Sequence, residues 1–281
     1  MSNLSSIKSV IKSTEKTKKI TSAMELVAAS KMARTKKSMQ QALPYAQTMR
    51  RLVSDIAGGN PEITHPFFEE RKGKKEPLYF IISSDRGLCG SLNTQLFKSL
   101  LEHMKQNNAK KLCIMGNKAL QLFKRFGGEI IGFKRFLGDE PDSQEVVTLM
   151  SKVVDLYLNN EISEVYLVFN EFVNVMTQKP VVERILPIVP DEPSKVLWDY
   201  IYEPDCETLM GEVAKRYLNA VVYGALLENI ACEQSARMVA MKSATENAQS
   251  LIEELNLAYN KARQAVITTE LSEIIAGADA V

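Results

Sequence analysis

The chain has 281 residues, 45% hydrophobic and 25% charged, with a formal net charge of +1. That length can bury a sizeable core and suggests about two domains, and the composition excludes wholesale disorder. The near-neutral total hides an asymmetry: residues 1–37 carry nine Lys or Arg against two Glu, whereas 205–281 carry eleven Asp or Glu against six Lys or Arg.

In chain order, residues 1–57 hold one proline, Pro44, and no glycine, which reads as a long helix. A heptad seam runs through Leu4, Ile11, Met32, Met39, Ala46 and Val53, alternating with Ile7, Ala28, Ala42, Met49 and Ile56. Thr14, Lys18, Thr21, Glu25 and Thr35 interrupt it. Within this helix "KKITSAMELVAASKM" is unusual, because from Ile20 to Ala33 the only charges are Glu25 and Lys31 and apolar side chains point in nearly every direction. A two-helix coiled coil covers only one side of such a segment, so the rest of its cover must come from another chain.

Residues 58–76 form a Pro- and Gly-containing linker, and the periodicity then changes. Over 77–204, "PLYFIISS" (77–84), "KKLCIMG" (110–116), "GEIIGF" (128–133) and "EVYLVFNEF" (164–172) read as strands, alternating with amphipathic helices at 94–107, 117–127 and 143–160. This alternation predicts a mostly parallel sheet covered by helices, a Rossmann-like α/β domain. "VVERILPIV" (181–189) reads as an edge strand ended by Pro187 and Pro190.

Residues 205–281 contain no proline and carry a second heptad seam: Met210, Tyr217, Ala231, Met238, Ile252, Tyr259 and Val266, alternating with Val213, Ala220, Leu227, Met241, Leu255 and Ala262. Gly224, Gln234, Thr245 and Thr269 weaken it. The expected fold is thus α/β plus long helices: an antiparallel coiled coil of the N- and C-terminal helices around a central Rossmann-like domain. At about 1.5 Å per residue the C-terminal helix would reach roughly 105 Å and the N-terminal one roughly 80 Å, so part of the former projects alone.

The chemistry these residues can support is sparse. "SSDRGLCGSLN" (83–93) lies where phosphate-binding loops sit, but its spacing matches neither dinucleotide nor P-loop fingerprints, and the expected reading is a tight turn with Asp85 and Arg86 paired locally. No acidic residue follows at dinucleotide-binding distance, which argues against a dehydrogenase. Cys89 has no neighbouring histidine as a base. His65 and His103 lie 38 positions apart without ligand spacing, and His103 is expected on the solvated side of its helix. Glu253 and Glu254 read as a solvated helix face, and Cys89, Cys113, Cys206 and Cys232 are scattered like reduced thiols. No catalytic residue, cofactor or metal site is expected. No run of about eighteen apolar residues suggests a membrane span, and the polar start lacks a signal core. The basic N-terminus leaves one alternative, a coiled-coil nucleic-acid-binding protein with a Rossmann-like domain, although no aromatic residue interleaves with the cations before Tyr45.

Three blocks, "KKITSAMELVAASKM", "SDRGLCGSLN" and "RMVAMKSATENA" followed by "LNLAYNKARQAVITTELSEIIAGADA", closely resemble the gamma subunit of F-type ATP synthases in order and separation. The resemblance covers essentially the whole chain. It implies a non-catalytic central shaft inside a ring of three alpha and three beta subunits, with a globular domain contacting the epsilon subunit and the membrane c-ring, and with no contact to nucleic acid or directly to the membrane. By position it implies beta-subunit contacts for Met24, Arg263, Gln264, Thr268 and Glu270, and structural or coupling roles for Asp85, Arg86, Gly87, Gly90 and Arg237. The apolar tip, Leu271 to Val281, would be a bearing surface. Members often read "LCGGYN" where this chain has Ser91 and Leu92. It also lacks the paired cysteines of the chloroplast type, so thiol regulation is not expected. The "KKIT" block lies too near the first Met for an organellar transit peptide, implying a peripheral position on the cytoplasmic face of a bacterial plasma (inner) membrane.

Overall fold

The computed structural model describes residues 2–59, 65–71, 76–107, 109–189, 203 and 206–278. Pro190, residues 60–64 and 72–75 of the expected linker and the last three residues of the expected tip lie outside them. The elements in order are α1 (Ser2–Gly59), β1 (Leu78–Ile82), α2 (Leu92–Asn107), β2 (Lys111–Met115), α3 (Asn117–Phe126), β3 (Glu129–Lys134), α4 (Ser143–Leu158), β4 (Val165–Phe172), β5 (Gln178–Leu186) and α5 (Cys206–Ala278). Residues 1–28 with 238–281 form one compact unit, and residues 29–237 the other. α1 and α5 contribute to both.

In the larger unit the strands run β3-β2-β1-β4-β5. The first four are mutually parallel, and β5 pairs antiparallel with β4 at the edge. An edge is where Pro180 can sit inside β5, because a proline has no N–H to give to a further strand. The central strand β1, "LYFII", is buried throughout, and its alternating side chains go to opposite faces. Leu78, Phe80 and Ile82 join a core with Val146, Met150 and Val153 of α4 and Leu218, Val222 and Leu226 of α5. Tyr79 and Ile81 join the second core with Leu96 and Leu100 of α2 and Ala119, Leu120 and Phe123 of α3. The sheet is therefore doubly covered, which is why its strands read as continuous apolar runs. The long C-terminal helix supplies part of that cover over residues 214–230, beyond its expected coiled-coil role.

In the smaller unit the half-buried or buried positions of α1 are Leu4, Ile7, Ile11, Thr14, Lys18, Thr21, Ser22, Met24, Glu25 and Ala28. All but Ser22 and Met24 fall on the heptad seam. α5 answers with Met241, Thr245, Ala248, Ile252, Leu255, Tyr259, Ala262 and Val266. Two polar interruptions of the α1 seam find partners on α5: the Thr21 and Thr245 hydroxyls are 2.8 Å apart, and Lys18 donates to Gln249 Oε1 at 2.6 Å. These contacts set an antiparallel register.

Two expectations about polar residues are corrected here. His103 is half-buried, with Nδ1 2.7 Å from the Tyr79 hydroxyl, because the α2 face over β1 needs a partner for that phenol. Asp85 does not pair with Arg86: its carboxylate accepts from the backbone N–H groups of Asn117, Phe136 and Leu137 at 3.0, 3.1 and 2.7 Å. Three fixed amides hold a carboxylate better than one mobile, solvated guanidinium does.

Gly116, just before α3, has φ +102°, and a Cβ there would lie 2.1 Å from the Ser83 carbonyl oxygen. Gly116→Ala is expected to destabilise the chain by about 3 kcal/mol or more, measured as the shift in urea midpoint at unchanged slope.

Candidate functional site

In an open parallel sheet, ligands bind outside the carboxyl ends of the strands where the strand order reverses. Here that point lies between β1 and β4, and the 83–93 loop leaves β1 beside it. The chain fills this crevice itself. α5 is buried at every position from Asn229 to Ser235, held among the loop, the end of β4 and the β4–β5 turn. The Asn170 side-chain amide donates to Asn229 Oδ1 at 2.8 Å, the Phe172 N–H to Glu228 Oε1 at 2.8 Å, Cys232 Sγ to the Asn170 carbonyl at 3.2 Å, and the Ser235 hydroxyl to the Val175 carbonyl at 2.7 Å.

Arg237 closes the arrangement. Its guanidinium donates to Glu233 Oε1 at 2.6 Å, to Gln234 Oε1 at 3.1 Å and to the Gly87 carbonyl at 3.2 Å. Gln234 donates onward to Asp139 Oδ1 at 3.2 Å, and Asp139 pairs with Lys31 of α1 at 2.6 Å. The loop is stiffened from within: the Asn93 amide donates to Ser84 Oγ at 2.7 Å, and Ser84 Oγ donates to the Arg86 carbonyl at 2.8 Å. Gly90 supplies a left-handed turn at φ +58°, a conformation glycine adopts without penalty.

Of the expected structural or coupling residues, the structure brings Gly87 and Arg237 into one polar framework, while Asp85 separately ties the loop to the amides of Asn117, Phe136 and Leu137. Gly90 shapes the loop, and the exposed Arg86 contributes its carbonyl. Sequence reasoning missed Lys31, Asp139, Glu228, Glu233 and Gln234. The available signal was "ENIACEQSAR" (228–237), where polar residues fall on several faces of one helical stretch.

Burial sets the electrostatics. Desolvation raises the Glu233 carboxyl above its ordinary value, with the Arg237 charge opposing it. Desolvation likewise raises Glu228, against its bond from the Phe172 amide. The Cys89 thiol is raised, chiefly by burial, and burial pushes Cys113 up to about 12. Both thiols are buried and held away from the thiolate form, so neither is placed to act as a nucleophile. Among the described residues no group of three His, Cys, Asp or Glu could hold a metal ion. No helix there is long and apolar enough to cross a membrane.

The smaller unit presents a second kind of surface. Ile20, Leu26 and Val27 are 60%, 70% and 55% exposed on the outer face of α1. By the register above, Leu4 lies opposite the Tyr259–Ala262 turn, so α5 runs out of partner soon afterwards. Every residue from Ile267 to Ile275 is exposed, including Leu271, Ile274 and Ile275. Met24 is half-buried beside the seam, while Arg263, Gln264, Thr268 and Glu270 are exposed, with the Thr268 hydroxyl donating to the Gln264 carbonyl.

A doubly wound sheet flanked in sequence by two very long paired helices is the fold of ATP synthase rotor chains. The rotor of the Euglena gracilis mitochondrial ATP synthase shares it at a TM-score of 0.67 and 19% identity, over 95% of this chain and 99% of that one. A chain of the Tetrahymena thermophila mitochondrial ATP synthase central stalk and c-ring matches at 0.62 and 23%, over 80% and 99%. A family profile described as ATP synthase matches residues 3–281. The ATP synthase gamma chain of Coxiella burnetii (strain RSA 493) is 46% identical over 288 residues, spanning all of both chains. The chain belongs to the ATP synthase gamma-chain family. That assignment displaces the nucleic-acid reading.

Arg237→Ala leaves Glu233 buried without its cation and is expected to cost about 3 kcal/mol, with part recovered in Arg237→Ala/Glu233→Gln; urea unfolding of both variants checks this. For Glu228 the folded-state pKa lies above the reference of 4.5, so the native state binds more protons and stability falls as pH rises from 4.5 through the native value. Glu228→Gln should flatten that fall, as read from unfolding midpoints across the pH series.

Proposed function

We propose that this chain is the central rotor shaft of an F-type ATP synthase. It couples proton-driven rotation of the membrane c-ring to conformational cycling of the catalytic beta subunits, for ATP synthesis and, in reverse, hydrolysis. One copy would work with three alpha and three beta subunits, with the epsilon subunit and c-ring at its sheet domain. The observation that carries the reading is the full-length match to a gamma chain together with apolar side chains on the outer face of α1 and the unpaired end of α5. Such side chains in water cost free energy that cover by a surrounding ring would recover.

The shaft acts by differential contact. Its sides differ in shape and charge, so each beta subunit meets a different face as the shaft turns, and a state is favoured only by as much as its contacts differ. Met24, Arg263, Gln264, Thr268 and Glu270 are proposed as beta contacts. Asp85, Arg86, Gly87, Gly90 and Arg237 are proposed to hold the sheet domain to α5, which carries the torque. In domain terms, helices 1–57 and 205–281 would be the shaft, 58–76 the linker and 77–204 the body that meets the c-ring. The chain itself is non-catalytic in this reading, because α5 fills the crevice where a doubly wound sheet would bind a nucleotide. Its place would be peripheral, on the cytoplasmic face of a bacterial plasma membrane, with membrane contact only through the membrane sector.

Co-expression with the alpha and beta subunits of the same source, followed by purification and ATPase assay, tests this. The expected result is a complex with one copy of this chain per three alpha and three beta, whose hydrolysis falls severalfold when residues after Asn256 are removed. A ring that assembles and hydrolyses fully without the chain would overturn it.

A further inference from the structure

A cavity of about 420 Å³ opens in the larger unit between α1, α4 and α5. That is within the size range of small-molecule sites, which are mostly apolar with a few placed polar groups. Its walls fit the description: Ala42 and Tyr45 come from α1, Val147 from α4, and Ala220 and Tyr223 from α5. The Tyr223 hydroxyl is engaged outside, donating to the Pro141 carbonyl at 3.3 Å, which fixes the ring as a wall.

Three polar residues border it. Arg216 lines the rim and is solvent-exposed, offering a cation. Ser143, the first residue of α4, is also on the rim. The start of a 16-residue helix favours negative charge, although Asp142 already caps it by accepting from the Gln144 N–H. Asn219 forms part of the wall, and its Oδ1 is buried with no hydrogen-bond donor among the described residues. An uncompensated buried acceptor is costly, and the last torsion of an asparagine is broad enough to turn that oxygen toward a guest.

We propose that this cavity binds a small amphiphile: an aromatic or branched-alkyl body between Tyr45 and Tyr223, an acidic group at Arg216 and the α4 start, and one N–H or O–H donor for Asn219 Oδ1. An arylamine or acylated-amine acid has this chemistry. Nothing in the site depends on the rotor reading, and binding is read without any ATPase assay, so the two can fail separately.

The probe is 8-anilinonaphthalene-1-sulfonate, which carries aromatic rings, one N–H and one sulfonate. It is titrated by fluorescence and equilibrium dialysis into the full-length chain and into the assembled complex. The expected result is one saturable site per chain in both, weakened about tenfold by Arg216→Ala through loss of a charge-assisted bond, and abolished by Ala220→Trp, which fills the space. Val147→Trp is the second filling variant, with circular dichroism checking both folds. Arg216 is exposed, so its truncation keeps the fold and decides the matter if neither filling variant folds. Affinity unchanged by Arg216→Ala, or binding to the free chain that vanishes in the complex because a partner subunit covers the face, would overturn the proposal.

Discussion

A pair of helices can bury one stripe on each partner and no more. The smaller unit is built on that limit. Its seam takes Leu4, Ile7, Ile11 and Ala28 from α1 and Met241, Ala248, Ile252 and Leu255 from α5, and small residues keep the helices close. Two polar interruptions of the α1 seam find partners on α5, Thr21 at Thr245 and Lys18 at Gln249, which fixes register more strictly than an apolar seam would. What the pair cannot bury is the other side: Ile20, Leu26 and Val27 on α1, and Leu271, Ile274 and Ile275 beyond the end of α1's cover. A chain that keeps such residues outward is built to work inside something else.

In the larger unit the same helix, α5, obeys a different constraint. There it is a packing layer of a doubly wound sheet, then a plug in the crevice that this architecture leaves open. Plugging a polar crevice with a helix requires polar residues on that helix, hence buried Asn229, Glu233, Gln234 and Arg237 with half-buried Glu228 beside them. Their charges are tolerable because each is paired or bonded, Glu233 by Arg237 and Glu228 by the Phe172 amide. The sheet has the doubly wound strand order, and α5 is anchored at the point where sheets of that order bind ligands.

Much of this was legible beforehand. The heptads, strands and edge placement of β5 follow from period and proline position, because alternating burial leaves a direct trace in hydrophobicity. The uncovered face of α1 was also readable, since Ile20 to Ala33 has almost no charge to solvate. Less visible were contacts between segments distant in sequence. Asp85 looked able to pair with Arg86 next door, but its amide donors come from residues more than thirty positions away. His103 looked solvated until the Tyr79 phenol was placed beneath it. The Lys31–Asp139 pair had no local signal at all, as either residue alone reads as an ordinary surface charge.

The central claim is that the outward apolar faces of the paired helices are covered by partner chains. Leu26→Cys and Ile274→Cys, each in a chain carrying Cys206→Ser, would report it through maleimide labelling, because Cys89, Cys113 and Cys232 are buried. The account predicts rapid labelling of the free chain and at least roughly tenfold slower labelling once alpha and beta subunits are assembled around it, as burial of contact residues requires. Equal rates in the free and assembled states would contradict it.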